Sequence, residues 1–250
     1  MVNRLMRLLA MSDLHVEFEP VELPDPSLYD VAILAGDINV KGRSSDWAGE
    51  HFSKTTILVA GNHEFYKSSW DKTLDRLNSP SAPHVHFLEQ RTLTLEGVRF
   101  VGCTGWTDFE GTGNAPLAML EARALMNDYK VIRVEPQYRT LVPQQTRRVA
   151  QQSREWLRRQ LEQPFEGKTV VVTHFPPLMH FVPDYGKHPH LRAAYGNNWQ
   201  EFLDMEIDLW VFGHTHVPVN ETINGVRFLS NPRGYPGEEV NFNNHCVVTL

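Results

Sequence analysis

Short apolar runs that stop abruptly at polar residues set the rhythm of this chain. Residues 5–11 end in Ser12-Asp13, 31–35 end in Gly36-Asp37, and 56–60 end in Gly61-Asn62. Further on, 169–173 ends in His174 and 209–212 ends in Gly213-His214. Largely apolar runs of this length, without polar alternation, predict strands buried on both faces. Each of the five delivers a carboxylate, amide or imidazole where the strand stops. The pattern therefore places metal-competent side chains at one common end of the strands.

Between these runs lie amphipathic segments. Residues 144–163 predict the clearest helix, with Val149, Trp156, Leu157 and Leu161 on one stripe, Pro143 near its start and Pro164 at its stop. Residues 65–78 and 198–205 are shorter helical candidates. Residues 88–102 alternate around Glu96-Gly97, which predicts a hairpin, and Asn224-Gly225 between Thr222 and Ser230 predicts another. Strands alternate with helices early in the chain, and hairpins cluster in the middle and at the end. That order indicates an α/β fold of two packed sheets, partly parallel and partly antiparallel, flanked by helices. With no repeat, low-complexity tract or Gly/Ser linker, a single domain across 1–250 is expected. The loop-like stretches 111–116 and 176–196 are long enough to be functional or mobile.

Composition narrows the function classes. The 250 residues are 41% hydrophobic and 22% charged, as in ordinary globular proteins, and no run reaches the ~18 apolar residues of a membrane span. A net charge of −6 and the absence of a basic, aromatic-interleaved stretch weigh against nucleic acid as a partner. Cys103 and Cys246 sit in apolar runs and lack a second cysteine at ligand spacing, so both are expected to be packing residues. The run 4–11 is basic and then apolar, but Asp13 and His15 follow at once, without a small-residue cleavage site. A cytoplasmic, reducing setting is expected.

The strand-end residues, in chain order, are Asp13 and His15, Asp37, Asn62 and His63, His174, and His214 and His216. Mixed carboxylate, amide and imidazole donors suit Mn, Fe, Zn, Ni or Co, and eight such residues are too many for one tetrahedral ion. They fit two divalent cations sharing a carboxylate. Such a pair clamps a phosphoryl group and makes hydroxide from a bridging water near neutral pH.

The segments Asp13-Leu-His15, Gly36-Asp37, Gly61-Asn-His-Glu64, His174 and Gly213-His-Thr-His216 resemble, in order, the signature of the calcineurin-like metallophosphoesterases. The resemblance implies a double β-sandwich flanked by helices. It implies that Asp13, His15 and His216 hold one metal, that Asp37 bridges, and that Asn62, His174 and His214 complete the second. His63 is similar to the family's histidine that protonates the leaving oxygen, which with Asp37 makes up the implied catalytic pair. The implied activity is hydrolysis of a phosphodiester or phosphomonoester, a small organic or nucleotide ester. In the phosphoprotein-phosphatase branch, a second acid and an arginine follow the bridging aspartate. Here Ile38-Asn-Val-Lys41 has neither, although Glu64 does resemble that branch.

Other residues are candidates for substrate contact. Trp106 and Asp108, together with Asn127-Asp-Tyr129, are placed to line a pocket, and Arg233 could grip a phosphate oxygen bidentately. His180, His188 and His190 fall in the long loop after His174, where they either gate substrate or face solvent. The alternatives to a small-ester hydrolase are a Ser/Thr protein phosphatase, a nuclease, or a non-catalytic scaffold that binds proteins on the same fold.

Overall fold

The computed structural model describes residues 5–250; Arg4, the basic start of the amino-terminal run, lies outside them. Nearly every side chain of the central strands is buried, so those strands show continuous apolar runs. β1 (Arg7–Met11), β2 (Val31–Ala35), β3 (Thr55–Val59) and β4 (Val85–Phe87) pair in parallel, and β13 (Val247–Thr249) lies antiparallel to β1. A second sheet has β6 (Val98–Gly102), β9 (Lys168–Val172), β10 (Leu209–Phe212) and β12 (Val226–Ser230) in parallel. Its edges are the antiparallel strands β5 (Arg91–Leu95) and β11 (Val219–Ile223). Both edge strands are the outer arms of the expected hairpins, turning at Glu96-Gly97 and Asn224-Gly225. A small ribbon joins β7 (Arg133–Val134) to β8 (Arg139–Thr140).

Alternate residues of each buried strand face different layers. Leu8, Ala10, Ile33, Ile57, Phe100, Val170, Val172 and Val211 fill the space between the sheets. Leu9, Met11 and Leu34 face out toward α1 (Ser44–His51), α2 (Trp70–Leu77) and α3 (Ala115–Leu125). Val101, Val171, Trp210 and Phe228 face α5 (Pro143–Leu161). A short α4 (Asp128–Val131) follows α3. The result is the layered arrangement of mixed sheets between helices that the chain's patterning indicated.

Several local expectations are corrected. α5 buries Thr146, Ala150, Ser153, Leu157 and Leu161, so its contact stripe is turned from the expected one, and Val149 and Trp156 are only half-buried. The segment 65–78 divides into a 3-10 turn, His63–Phe65, and the shorter α2. The segment 198–205 is a 3-10 helix, Gln200–Asp204, and the stretch 176–196 contains two more. Residues 111–116 are not one loop, because Asn114 caps α3 by accepting from the Leu117 amide. Among the described residues no helix is long and apolar enough to cross a membrane.

Candidate metal centre

The loops that follow β1, β2, β3, β9 and β10 meet at one rim of the two sheets. Asp13, His15, Asp37, His214 and His216 all adopt positive φ, between 45° and 72°. Left-handed backbone is uncommon for residues with a side chain, and so many strained residues at one rim indicate a geometry kept for function.

The side chains at this rim approach closely. His15 Nε2 and His216 Nε2 lie 3.2 Å apart, and His216 Nε2 is 3.5 Å from Asp13 Oδ1. His174 Nε2 lies 3.2 Å from Asn62 Oδ1 and 3.4 Å from Asp37 Oδ2. Ligand atoms of Asp13, His15 and His216, and those of Asp37, His174 and His214, each fall within 4.8 Å of one another. A third such group joins His15, Asp37 and His63. Asp37 thus touches the His174 side, while His15 links the two halves.

The hydrogen bonds behind these groups leave their free donor atoms facing inward. His174 Nδ1 is 2.9 Å from the Ala35 carbonyl oxygen, so Nδ1 carries the proton and Nε2 faces Asn62 and Asp37. His216 Nδ1 is held the same way by Glu238, at 2.6 Å. The Asn62 amide donates to Asp128 at 2.9 Å, which turns its oxygen toward His174. Asp128 is steadied in turn by the Tyr66 hydroxyl at 2.6 Å. His214 Nε2 is buried with no hydrogen-bond partner among the described residues.

Two glycines are required by close approach. A Cβ at Gly61 would lie 2.1 Å from Asp37 Oδ1, and one at Gly213 would lie 2.4 Å from Asp13 Oδ2. Buried Glu64 then ties the loops after β2 and β3 together. It accepts from the Gly61 amide at 2.6 Å, the Asp37 amide at 3.0 Å, the Ile38 amide at 2.8 Å and the Ser44 hydroxyl at 2.6 Å. Glu64→Gln puts an amide N–H against donors on one side of that carboxylate. It should lower stability by about 1–3 kcal/mol in chemical denaturation. An unchanged midpoint would show that Glu64 does not organise the loops.

Burial alone would raise the Asp37 carboxyl, but His174, His63 and His15 outweigh it and hold it well below the usual range. Burial likewise opposes ionisation of Asp13, and His216 overrides it. Burial lowers the histidines, yet Asp37 lifts His174 to about 9, and Asp13 with Glu238 lifts His216 to about 9. Burial and the neighbouring His174 push His214 well below its ordinary value. Without cations, the rim is a set of interlocked acid–imidazole pairs.

Beside the rim, His63 is buried and bracketed. Its Nδ1 lies 3.0 Å from Glu17, its Nε2 lies 2.8 Å from the Tyr235 hydroxyl, and its backbone N–H donates to Asp37 at 2.8 Å. Burial lowers its pKa, and Asp37, Glu17 and Asp128 more than restore it. The Glu17 carboxyl, raised by burial, is brought down to about 2 by His15 and His63.

A cavity of about 400 Å³ opens onto the rim, walled by Asp37, Asn62, His214 and His216 and by the tyrosines 66, 185, 195 and 235. Asn127 and Asp128 line it as expected, but the other proposed contacts are corrected. Trp106 is buried in the core against Phe65, Trp70 and Phe175. Asp108 is buried, its carboxylate accepting from the Glu110 amide at 3.0 Å and the Trp199 indole N–H at 3.2 Å, while its own amide donates to Asn197 Oδ1. Tyr129 is buried with its hydroxyl 3.0 Å from Thr146. The Arg233 guanidinium donates to the carbonyls of Leu14, Glu19 and Pro20 and lies 3.6 Å from the Glu19 carboxylate, so three of its five N–H groups are spent on backbone. His180 pairs with Glu221, His188 faces Glu121, and His190 contacts Thr112. Glu17, Tyr235 and Glu238 went unnoticed in the sequence, and only the i, i+2, i+4 spacing of Asp13, His15 and Glu17 hinted at the first.

The sequence model of the calcineurin-like phosphoesterases matches residues 6–218. The L509 protein of Acanthamoeba polyphaga mimivirus is 23% identical over 210 residues, covering 78% of this chain and 73% of its own length. Phosphopantetheinyl hydrolase of Mycobacterium tuberculosis superposes with a TM-score of 0.72 at 22% identity, over 94% of this chain and 92% of that one. A candidate 5′-nucleotidase of Staphylococcus aureus gives a TM-score of 0.52 at 16% identity, over 92% of this chain and 49% of that one. These structural likenesses concern the fold.

Proposed function

The chain belongs to the calcineurin-like phosphoesterase family, and from its rim we propose that it hydrolyses small organic or nucleotide phosphate esters with two divalent cations. We assign Asp13, His15 and His216 to one cation and Asn62, His174 and His214 to the other, with Asp37 shared. The reading extends to one domain over 1–250 in a cytoplasmic setting. The observation that carries it is the direction of the donor atoms: the outer nitrogens of His174 and His216 are taken by Ala35 and Glu238, leaving the inner ones convergent.

Charge supports the same conclusion. Asp37, Asp128 and Glu238 line the cavity, and no lysine or arginine does so among the described residues. A phosphate ester would be repelled from such a cavity unless cations offset the carboxylates. When bound, two divalent cations neutralise phosphoryl charge and lower the pKa of water enough for attack at neutral pH. The donor set suits Mn, Fe, Zn, Ni or Co.

The chain's own groups do the rest. The tyrosines of the cavity wall provide flat, amphipathic surfaces for an organic substituent. In-line attack places the departing oxygen opposite the nucleophile, and His63 is the acid on that side. Its Nδ1 is pinned by Glu17, so Nε2 offers a proton where the Tyr235 hydroxyl now sits. The fold relative named for a phosphopantetheinyl substrate is compatible with an organic ester.

Hydrolysis of para-nitrophenyl phosphate or its bis-ester should depend on added Mn and stop with chelator. Silence toward both esters with Mn, Fe, Zn, Ni and Co would favour the protein-binding scaffold instead.

Metal uptake should strengthen with pH. The folded pKa values of His174 and His216, about 9, lie above the ordinary 6.5. In the metal-free chain, folding therefore favours their charged forms; that stabilisation is complete below 6.5 and is lost as pH rises through 9. A cation needs the neutral imidazole, so binding near pH 7.5 should release about two protons, and affinity should climb toward pH 9 and then level. Calorimetry with Mn in buffers of different ionisation enthalpy reads this directly. A pH-independent affinity would exclude these two nitrogens as ligands.

A further inference from the structure

A second cavity, of about 750 Å³, adjoins the first across the shared side chains of Tyr66, Asn127 and Tyr235. Its charge is opposite. Lys41, Arg43 and Lys67 line it, and its one carboxylate, Glu17, is engaged with His63 and His15. His63 lines this second cavity and not the first, whereas the proposed ligands Asp37, Asn62, His214 and His216 line the first and not the second.

The cations converge because two loops are tied together. Lys41 and Arg43 lie between β2 and α1, Lys67 lies between the His63–Phe65 turn and α2, and the Gly42 amide donates to the Glu64 carbonyl at 2.8 Å. Lys41 and Lys67 each hold a left-handed backbone, with φ of 60° and 58°. None of the three cations is in an ion pair among the described residues, whereas Arg7, Arg76, Arg154 and Lys168 all have carboxylate partners. Three unneutralised cations around one concave space, next to an acidic one, make a place for an anion.

We propose that Lys41, Arg43 and Lys67 form a second anion subsite, which takes a phosphate or carboxylate carried by the departing half of the ester. The direction rests on the phosphoesterase reading above. If His63 protonates the departing oxygen, the departing group extends past Tyr235 into the basic cavity, while the retained phosphoryl group stays at the acidic rim. The substrate class is thus an ester whose alcohol bears a further negative charge.

Two esters differing only on the departing ring test this. One is methyl 4-nitrophenyl phosphate, and the other carries an added phosphonomethyl group on the same ring. At low salt the native chain should prefer the phosphonate ester by about tenfold or more in kcat/KM. In the triple variant Lys41→Gln, Arg43→Gln, Lys67→Gln that ratio should fall to about one. A native ratio near one, or a ratio that survives in the variant, overturns the proposal. Benzylphosphonate binding to the full chain in chelator, followed by calorimetry, reads the subsite without turnover. It should weaken about tenfold in the variant while circular dichroism and the melting temperature stay put; equal binding overturns the proposal. Silence toward both esters, with the charge-dependent binding intact, would sink the phosphoesterase reading and uphold the subsite.

Discussion

If Asp37 is the ligand shared by both cations, as proposed, Asp37→Ala should lower turnover by at least about 10³-fold and strip most of the bound metal. Asp37 Oδ2 is 3.4 Å from His174 Nε2, and Oδ1 takes the His63 amide at 2.8 Å. Its loss removes the negative charge that raises His174 and His63. Asn at the same position keeps the shape and the contact with the His63 amide. If charge-sharing is the reason for the aspartate, Asp37→Asn should also lose metal while remaining better folded than the alanine variant. Elemental analysis after gel filtration, alongside kcat, separates the two. An active, fully metallated alanine variant would defeat the shared-ligand assignment.

His63→Ala should have a different signature. The contact between position 63 and Asp37 runs through the backbone amide, which alanine retains. Both cations should therefore remain. Turnover should fall by about 10²–10⁴-fold for esters with poor leaving groups, and much less for nitrophenyl esters, whose departing oxygen needs no proton. The Glu17 carboxylate, left without one partner, still has His15 within 3.5 Å, so the fold should survive. His15, Asp37 and His63 also bring ligand atoms within 4.8 Å of one another, which makes the metal count decisive. If His63→Ala empties the rim, His63 is a ligand and its role as acid is wrong.

The strands that carry the rim were legible because they are buried on both faces. The apolar runs ending at Asp13, Asp37, Asn62, His174 and His214 became β1, β2, β3, β9 and β10 in parallel pairing. Both hairpins announced themselves through their turn residues. α1 and α3 were not legible, for a packing reason. α1 buries Ser44, Ser45 and Ala48, so no apolar stripe marks it. α3 buries Ala115, Ala118 and Ala122 while Leu117, Leu120 and Leu125 stay exposed, the reverse of the expected pattern. The groups behind the proposed ligands were equally hidden, since Glu17, Asp128, Tyr235 and Glu238 act through contacts that tertiary folding creates. Arg233 misled for a related reason: only the structure shows backbone carbonyls of residues 14, 19 and 20 converging on it.

Anomalous diffraction from crystals grown with Mn is the most direct measurement. Two peaks about 3.5–4 Å apart should appear at the rim, both within coordination distance of Asp37, with Asp13, His15 and His216 on one and Asn62, His174 and His214 on the other. Peaks confined to the surface, or a rim that stays without Mn at saturating concentration, would contradict the dinuclear centre.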